Sequence, residues 1–220
     1  MLRPVSDRQR YEIPPDRLAR WLDRWAEENA PVEQTEIRPG LVTFSGAEGA
    51  ALEADPPFPP FAGDVTGVRD GFDPQPLLDH TARERVVGVI LVRLGGYAAG
   101  VFSGRRLVAS KVGRRNVHGR HSAGGSSQKR FERRREGQAR VALDTAAGVA
   151  AAVLLEHRRD LDAVVLGGDR RALATVLEDP RLRPLKHLVV AERVLDVPDP
   201  RLAVLRRTPD AFLATILRPR

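Results

Sequence analysis

The stretch "RVVGVILVRLGGYAAGVFSGRRLVASKVGR", Arg85 to Arg114, breaks into three apolar runs at 86–94, 97–103 and 106–112. "GG" and "SGR" part them, and glycine between β-branched apolar runs is the signal of tight hairpin turns. An antiparallel meander follows from that spacing. Residues 113–127 come next, rich in Gly, Ser, Arg and His and without apolar periodicity, as expected of a long exposed loop. From about Ser127 the period changes to that of a helix. Leu143, Ala146, Ala147, Ala150, Val153, Leu154 and His157 fall on one face of its C-terminal half, which predicts packing on a sheet. Its N-terminal half is a basic cluster whose one large apolar residue is Phe131.

Beyond the long helix, "LDAVVLGGD" (161–169) reads as a buried strand ending at a glycine pair, with Asp169 capping a helix that runs to about Glu178. "LKHLVVAE" (185–192) and "RLAVLRR" (201–207) read as two more strands, and "TPDAFLATILRPR" as a capped terminal helix. The order β-β-β-loop-α-β-α-β predicts an α/β layered domain, a mixed sheet covered by helices. Toward the N-terminus, Leu18, Trp21, Leu22 and Trp25 recur at helical spacing, so residues 16–29 are expected to form an amphipathic helix with both tryptophans as core anchors. Residues 31–55 carry weak strand signals such as "LVTFSG". The four prolines of "DPPFPPFAGD" block regular structure and place a boundary or long connection across roughly 56–80. The expected division is a helical and irregular extension over 1–80, packed on a main domain over 81–220.

Composition narrows the chemistry. A hydrophobic fraction of 42% is enough for a real core. The chain has no cysteine, which removes disulfides, thiol nucleophiles and cysteine-ligated zinc, and fits a reducing compartment. The N-terminus lacks the apolar core of a signal peptide, and no uninterrupted apolar run approaches the ~20 residues that span a bilayer. A cytoplasmic, membrane-free protein is expected. The net charge of +7 is unevenly spread: residues 105–140 hold twelve Lys or Arg against Glu132 and Glu136, and the remainder of the chain is net acidic. Basicity concentrated in this way is the footprint of a nucleic-acid contact.

Ordinary active sites are missing. No Gly-x-Ser-x-Gly elbow exists, and no carboxylate accompanies His118 and His121 to orient a base for Ser122, Ser126 or Ser127. The two histidines have metal-pair spacing but stand among arginines that repel a cation, so phosphate contact or solvent suits them better. No metal or other cofactor is expected. His157 is expected to be a core histidine. Gly167-Gly168 stands where a nucleotide loop would, yet no Lys or second glycine is in register, and tight strand-to-helix turning accounts for it.

A Gly-rich basic loop leading from a meander into a long helix, with Gly125-Ser126-Ser127-Gln128 at the junction, preceded by "RHSAG" and followed by "KRFERRR", resembles a known family. The chain is similar over roughly 80–210 to the catalytic domain of archaeo-eukaryotic class I translation release factors, with a closer likeness to their actinobacterial Vms-like relatives. The resemblance implies an RNase H-like, release-factor middle-domain fold. It also implies a peptidyl-tRNA hydrolase that acts without reading a stop codon, releasing nascent peptide from stalled complexes at the peptidyl-transferase centre of the large subunit. Gln128 would be the catalytic tip, on a loop of Gly124, Gly125, Ser126 and Ser127. Arg114, Arg115, His118, Arg120, His121, Lys129, Arg130, Arg133, Arg134 and Arg135 would contact tRNA or rRNA, with the protein acting as a monomer. Two serines separate glycine from glutamine, where the tripeptide of the class I release factors is contiguous; the resemblance to the Vms-like relatives includes this stretched spacing, with glutamine three residues after a glycine. Neither a codon-reading domain nor a GTPase-recruiting one is evident. The resemblance to the Vms-like relatives also implies an alternative, cleavage of the tRNA strand near its acceptor end, and the basic window by itself fits a second, a non-catalytic ribosome- or RNA-binding factor. "EGQ" at 136–138 copies the tip superficially, but its helical surroundings make Gln138 a surface helix residue.

Overall fold

The structure is a computed structural model that describes residues 9–93, 95–114 and 128–220, apart from the side chains of 128–136, Ala191 and Glu192. In chain order the elements are β1 (Tyr11–Ile13), α1 (Pro15–Glu28), β2 (Val32–Arg38), β3 (Leu41–Gly46), β4 (Ala51–Asp55), β5 (Gly67–Asp70), α2 (Gln75–Ala82) and β6 (Val86–Arg93). They continue through β7 (Gly96–Ser103), β8 (Arg106–Arg114), α3 (Gln128–Leu155), β9 (Ala163–Gly168), α4 (Arg170–Leu177), β10 (Val189–Leu195), α5 (Leu202–Phe212) and β11 (Thr215–Pro219). Short 3-10 helices fill Ala47–Gly49 and Pro180–Leu188. The chain is a mixed α/β protein with two sheets and two compact units, Met1–Arg83 with Pro209–Arg220, and Glu84–Thr208.

The first unit is built on a six-stranded antiparallel sheet in the order β1-β11-β4-β3-β2-β5. Alternation sets its buried face. Val42 and Phe44 on β3, Leu52 and Ala54 on β4, and Leu217 on β11 point inward every second residue. Against them α1 lays Leu18, Leu22 and Trp25, three and four residues apart. Pro15 opens that helix at a position where its missing N–H costs nothing. Trp25 packs on Phe44 and Phe44 on Phe72, both pairs tilted, with ring centroids 6.4 and 5.2 Å apart. The region of 56–80 holds β5 and most of α2. The buried Thr35 hydroxyl ties this region down, donating to the Gly71 carbonyl at 2.7 Å and accepting from the Asp73 N–H at 3.0 Å.

The second unit carries the meander. β6, β7 and β8 pair antiparallel, while β9 and β10 add in parallel beside β6, giving the order β10-β9-β6-β7-β8. Val87 to Leu91 are buried without a break, as a central strand covered on both faces requires. Ala146, Ala147, Ala150, Val153 and Leu154 of α3 pack on Ile90, Val92, Val101, Val164 and Leu166. Its segment Gly137–Leu155 is long and apolar enough to cross a membrane, and its apolar stripe serves this core. Arg181 ties α3 to the 3-10 helix, reaching Asp144 and Asp179 at 2.6 Å each. The hydrogen bond from Arg181 holds the Asp179 carboxyl below the usual carboxylate range.

Four sequence expectations give way, the first in the strand expected at 185–192, whose residues 185–188 belong to the 3-10 helix so that β10 begins at Val189. Residues 201–207 are not a strand but open α5: Leu205, Thr208, Pro209 and Phe212 are buried at spacings of three, four and seven, a helical stripe that a seven-residue window is too short to reveal. The terminal stretch is not a capped helix, since Thr208 lies inside α5 with its hydroxyl donating to the Leu205 carbonyl, and Thr215–Pro219 forms β11. His157 lies beyond the end of α3 and is half-buried, in a turn where its N–H donates to the Leu154 carbonyl.

Candidate functional site

Two strand directions fix where the basic segment sits. β8 and β9 both run parallel to β6, so the α3 that joins them must run back antiparallel. Its first residue, Gln128, therefore lies at the carboxyl ends of β6, β8 and β9, the edge where open α/β sheets place their binding sites. Length adds to this. The 28 residues of α3 extend ~42 Å at the helical rise, against ~27 Å for a strand of the length of β6. The helix thus outreaches its sheet by several turns. Ala142 is the first deeply buried side chain along the described part of α3, while Arg140 and Val141 remain exposed. The basic half of α3 is the overhanging half.

Of the site residues expected from sequence, Gly124, Gly125, Ser126, Ser127, Arg115, His118, Arg120 and His121 lie outside the described residues. So do the side chains of Gln128, Lys129, Arg130, Arg133, Arg134 and Arg135, whose backbone is helical. Arg114 is described. It ends β8, and its guanidinium donates to Asp199 Oδ2 at 3.2 Å. Arg201 reaches the same oxygen at 3.5 Å. At the end of β6, Arg93 donates to Asp196 Oδ1 at 3.1 Å and to the Val197 carbonyl at 2.7 Å. Sequence reading missed these acidic partners; their only signal was the alternation of Asp and Pro in "DVPDPR".

Gln138 sits within α3, helical on both sides, and nothing crowds the α-carbon of Gly137 beside it. Gly167-Gly168 is a packing device. Gly168 has φ +104°, and a Cβ there would run into the Val92 carbonyl oxygen. Asp169 accepts from the N–H groups of Arg171 and Ala172, both at 2.9 Å, so the first turn of α4 is capped from within. No cluster of three or more His, Asp or Glu able to hold a metal occurs among the described residues.

The family model of the Actinobacteria/chloroflexi VLRF1 release factor matches residues 85–218, well over half of the chain. Peptide chain release factor subunit 1 of Methanopyrus kandleri is 31% identical over 94 residues, an alignment covering 43% of this chain and 23% of that protein. The chain therefore matches less than a quarter of that curated relative's length. Among solved structures, the archaeal translation termination factor aRF1 aligns with a TM-score of 0.37 and 18% identity, over 88% of this chain and 68% of that one. Pelota of Archaeoglobus fulgidus aligns with a TM-score of 0.34 and 14% identity, over 97% and 66% of the respective chains. With the match running from the start of the meander to β11, the chain belongs to the Actinobacteria/chloroflexi VLRF1 release factor family.

Proposed function

We propose that the protein is a stop-codon-independent peptidyl-tRNA hydrolase that acts at the peptidyl-transferase centre of the large ribosomal subunit. Membership of a release-factor family supports a role in translation termination or ribosome rescue and a cytoplasmic location. The observation that carries the finer reading is the position of Gln128, at the start of an overhanging basic helix and directly after Gly125-Ser126-Ser127.

The bond to be broken is the ester joining the peptide to the terminal ribose of tRNA. Its hydrolysis needs a placed water and hydrogen-bond donors for the developing oxyanion. A glutamine amide does not take up a proton near neutral pH, so Gln128 is not the base. Its backbone N–H and side-chain amide orient water and donate to the transition state. Gly124 and Gly125 let the backbone approach RNA closely. The arginines of the overhanging helix run along phosphates. RNA supplies the remaining surroundings, which accounts for the lack of a triad.

The test is incubation with large subunits bearing peptidyl-tRNA, with both peptide and tRNA analysed. Wild-type protein should free the peptide and leave the tRNA full-length. Gln128→Ala should abolish release while ribosome binding stays nearly intact. Retained activity in the variant overturns the assignment of Gln128. A shortened tRNA overturns ester hydrolysis in favour of cutting the acceptor strand, and binding without turnover points to a non-catalytic factor.

A further inference from the structure

Arg93, Gly96 and Arg114 form one cross-strand row at the end of the meander, since Arg93 pairs with Gly96 and Gly96 with Arg114. The segment Asp196–Arg201 lies along this row like a strap. Arg93 holds its beginning through Asp196 and the Val197 carbonyl, and Arg114 holds its middle through Asp199. Pro198 and Pro200 flank Asp199; each fixes its own φ and offers no N–H, which stiffens the strap. The carboxylate of Asp199 is divided in its duties. Oδ2 accepts from Arg114 and Arg201, while Oδ1 is buried with no hydrogen-bond partner. Oδ1 rests instead on Gly96, where an added Cβ would come within 2.5 Å of it and 3.2 Å from Pro200 Cδ. A carboxylate with one oxygen unmatched is a costly way to fill space, because a buried acceptor without a donor forfeits its hydration.

The arrangement ties Arg114, the last residue of β8 before the segment that leads to Gln128, to the strap. We propose that Asp199 is a positioning residue for the reaction. Wedged onto Gly96 and paired with Arg114, it sets the point and direction from which the chain leaves the sheet toward Gln128. The proposal rests on the assignment of Gln128 above and adds a residue far from it in sequence. Gly96 belongs to the same device, since any larger residue displaces the carboxylate. Arg201 shares the Asp199 oxygen that faces Arg114.

A double-mutant cycle tests this on the full chain: Asp199→Asn, Arg114→Gln and the two together. Two quantities are read. Amide exchange of Tyr97 and residues 112–114 in the free protein reports the clamp without any ribosome. Single-turnover peptide release at saturating protein reports the reaction, with ribosome affinity measured separately. Asp199→Asn, nearly isosteric, should speed exchange at the row and slow release about tenfold, the cost of a loosely held reacting group. It should leave ribosome affinity and the melting temperature unchanged. The double variant should be no worse than Arg114→Gln alone in either readout. Exchange that is unchanged in Asp199→Asn, or single effects that multiply in the double variant, overturns the proposal. Coupled exchange in a wild-type protein that releases no peptide leaves the clamp standing as a tie and refutes the hydrolase reading instead.

Discussion

Gly168 ends β9 in the left-handed region, with its α-carbon against the Val92 carbonyl of β6. Two penalties meet any side chain there, a backbone conformation that L-residues avoid and a clash with backbone that cannot move aside. Gly168→Ala should therefore destabilise the protein by roughly 3 kcal/mol, read as a drop in the denaturant midpoint with the slope unchanged. Loss of nucleotide binding without loss of stability would instead mark a phosphate loop. The role of this glycine pair was legible from sequence because a strand, two glycines and a capping Asp stand in uninterrupted order. That of Asp199 was not. Its partner Arg114 is 85 residues away, and nothing in "DVPDPR" says which cation it will meet. Gly96 read only as a turn residue, although its α-carbon also seats the carboxylate.

At the scale of elements, α3 does two jobs with two halves. Alanines of the second half bring it close over the sheet, and the first half extends past the strand ends with its arginines. If those arginines line RNA phosphates, each releases condensed counterions on binding. Replacing Arg133, Arg134 and Arg135 by Gln should flatten the dependence of log affinity on log salt by about two to three. The measurement is ribosome binding across a salt series; an unchanged slope would place the contact elsewhere. Element-level reading succeeded where one physical signal dominated: glycine turns for the meander, small residues at helical period for α3. It weakened in β2, "VEQTEIR", where Thr35 and Ile37 are the buried side chains and, Val32 apart, polar residues fill the rest. It failed in α5, whose stripe becomes visible only when Leu205 is joined to Thr208, Pro209 and Phe212 across what sequence had divided into two elements.

At the scale of the whole chain, the C-terminal segment completes a sheet begun at the other end. β11 pairs with β1 on one side and β4 on the other, and Leu217 is fully buried in the core that α1 covers. Arg218 adds a bidentate pair to Asp55 at 2.6 and 2.7 Å across the β11–β4 ladder, and this pairing raises the pKa of the guanidinium further above its ordinary value. Because β11 lies between its two neighbours, removing it strands β1 and leaves β4 an open edge with unpaired backbone groups. Deletion of residues 209–220 should thus unfold the first unit, while the second keeps the parallel and antiparallel pairs made within Glu84–Thr208. Hydrogen exchange followed by mass spectrometry should show protection lost from β2, β3 and β4 and retained in β6 and β9. The full-length variant Leu217→Asp provides a second route to the same state, since an ionised carboxylate in that core costs several kcal/mol. Protection retained in β3 and β4 of both variants would mean that the first unit holds together without its last strand. Loss of protection in β6 and β9 as well would mean that the two units fold as one cooperative body.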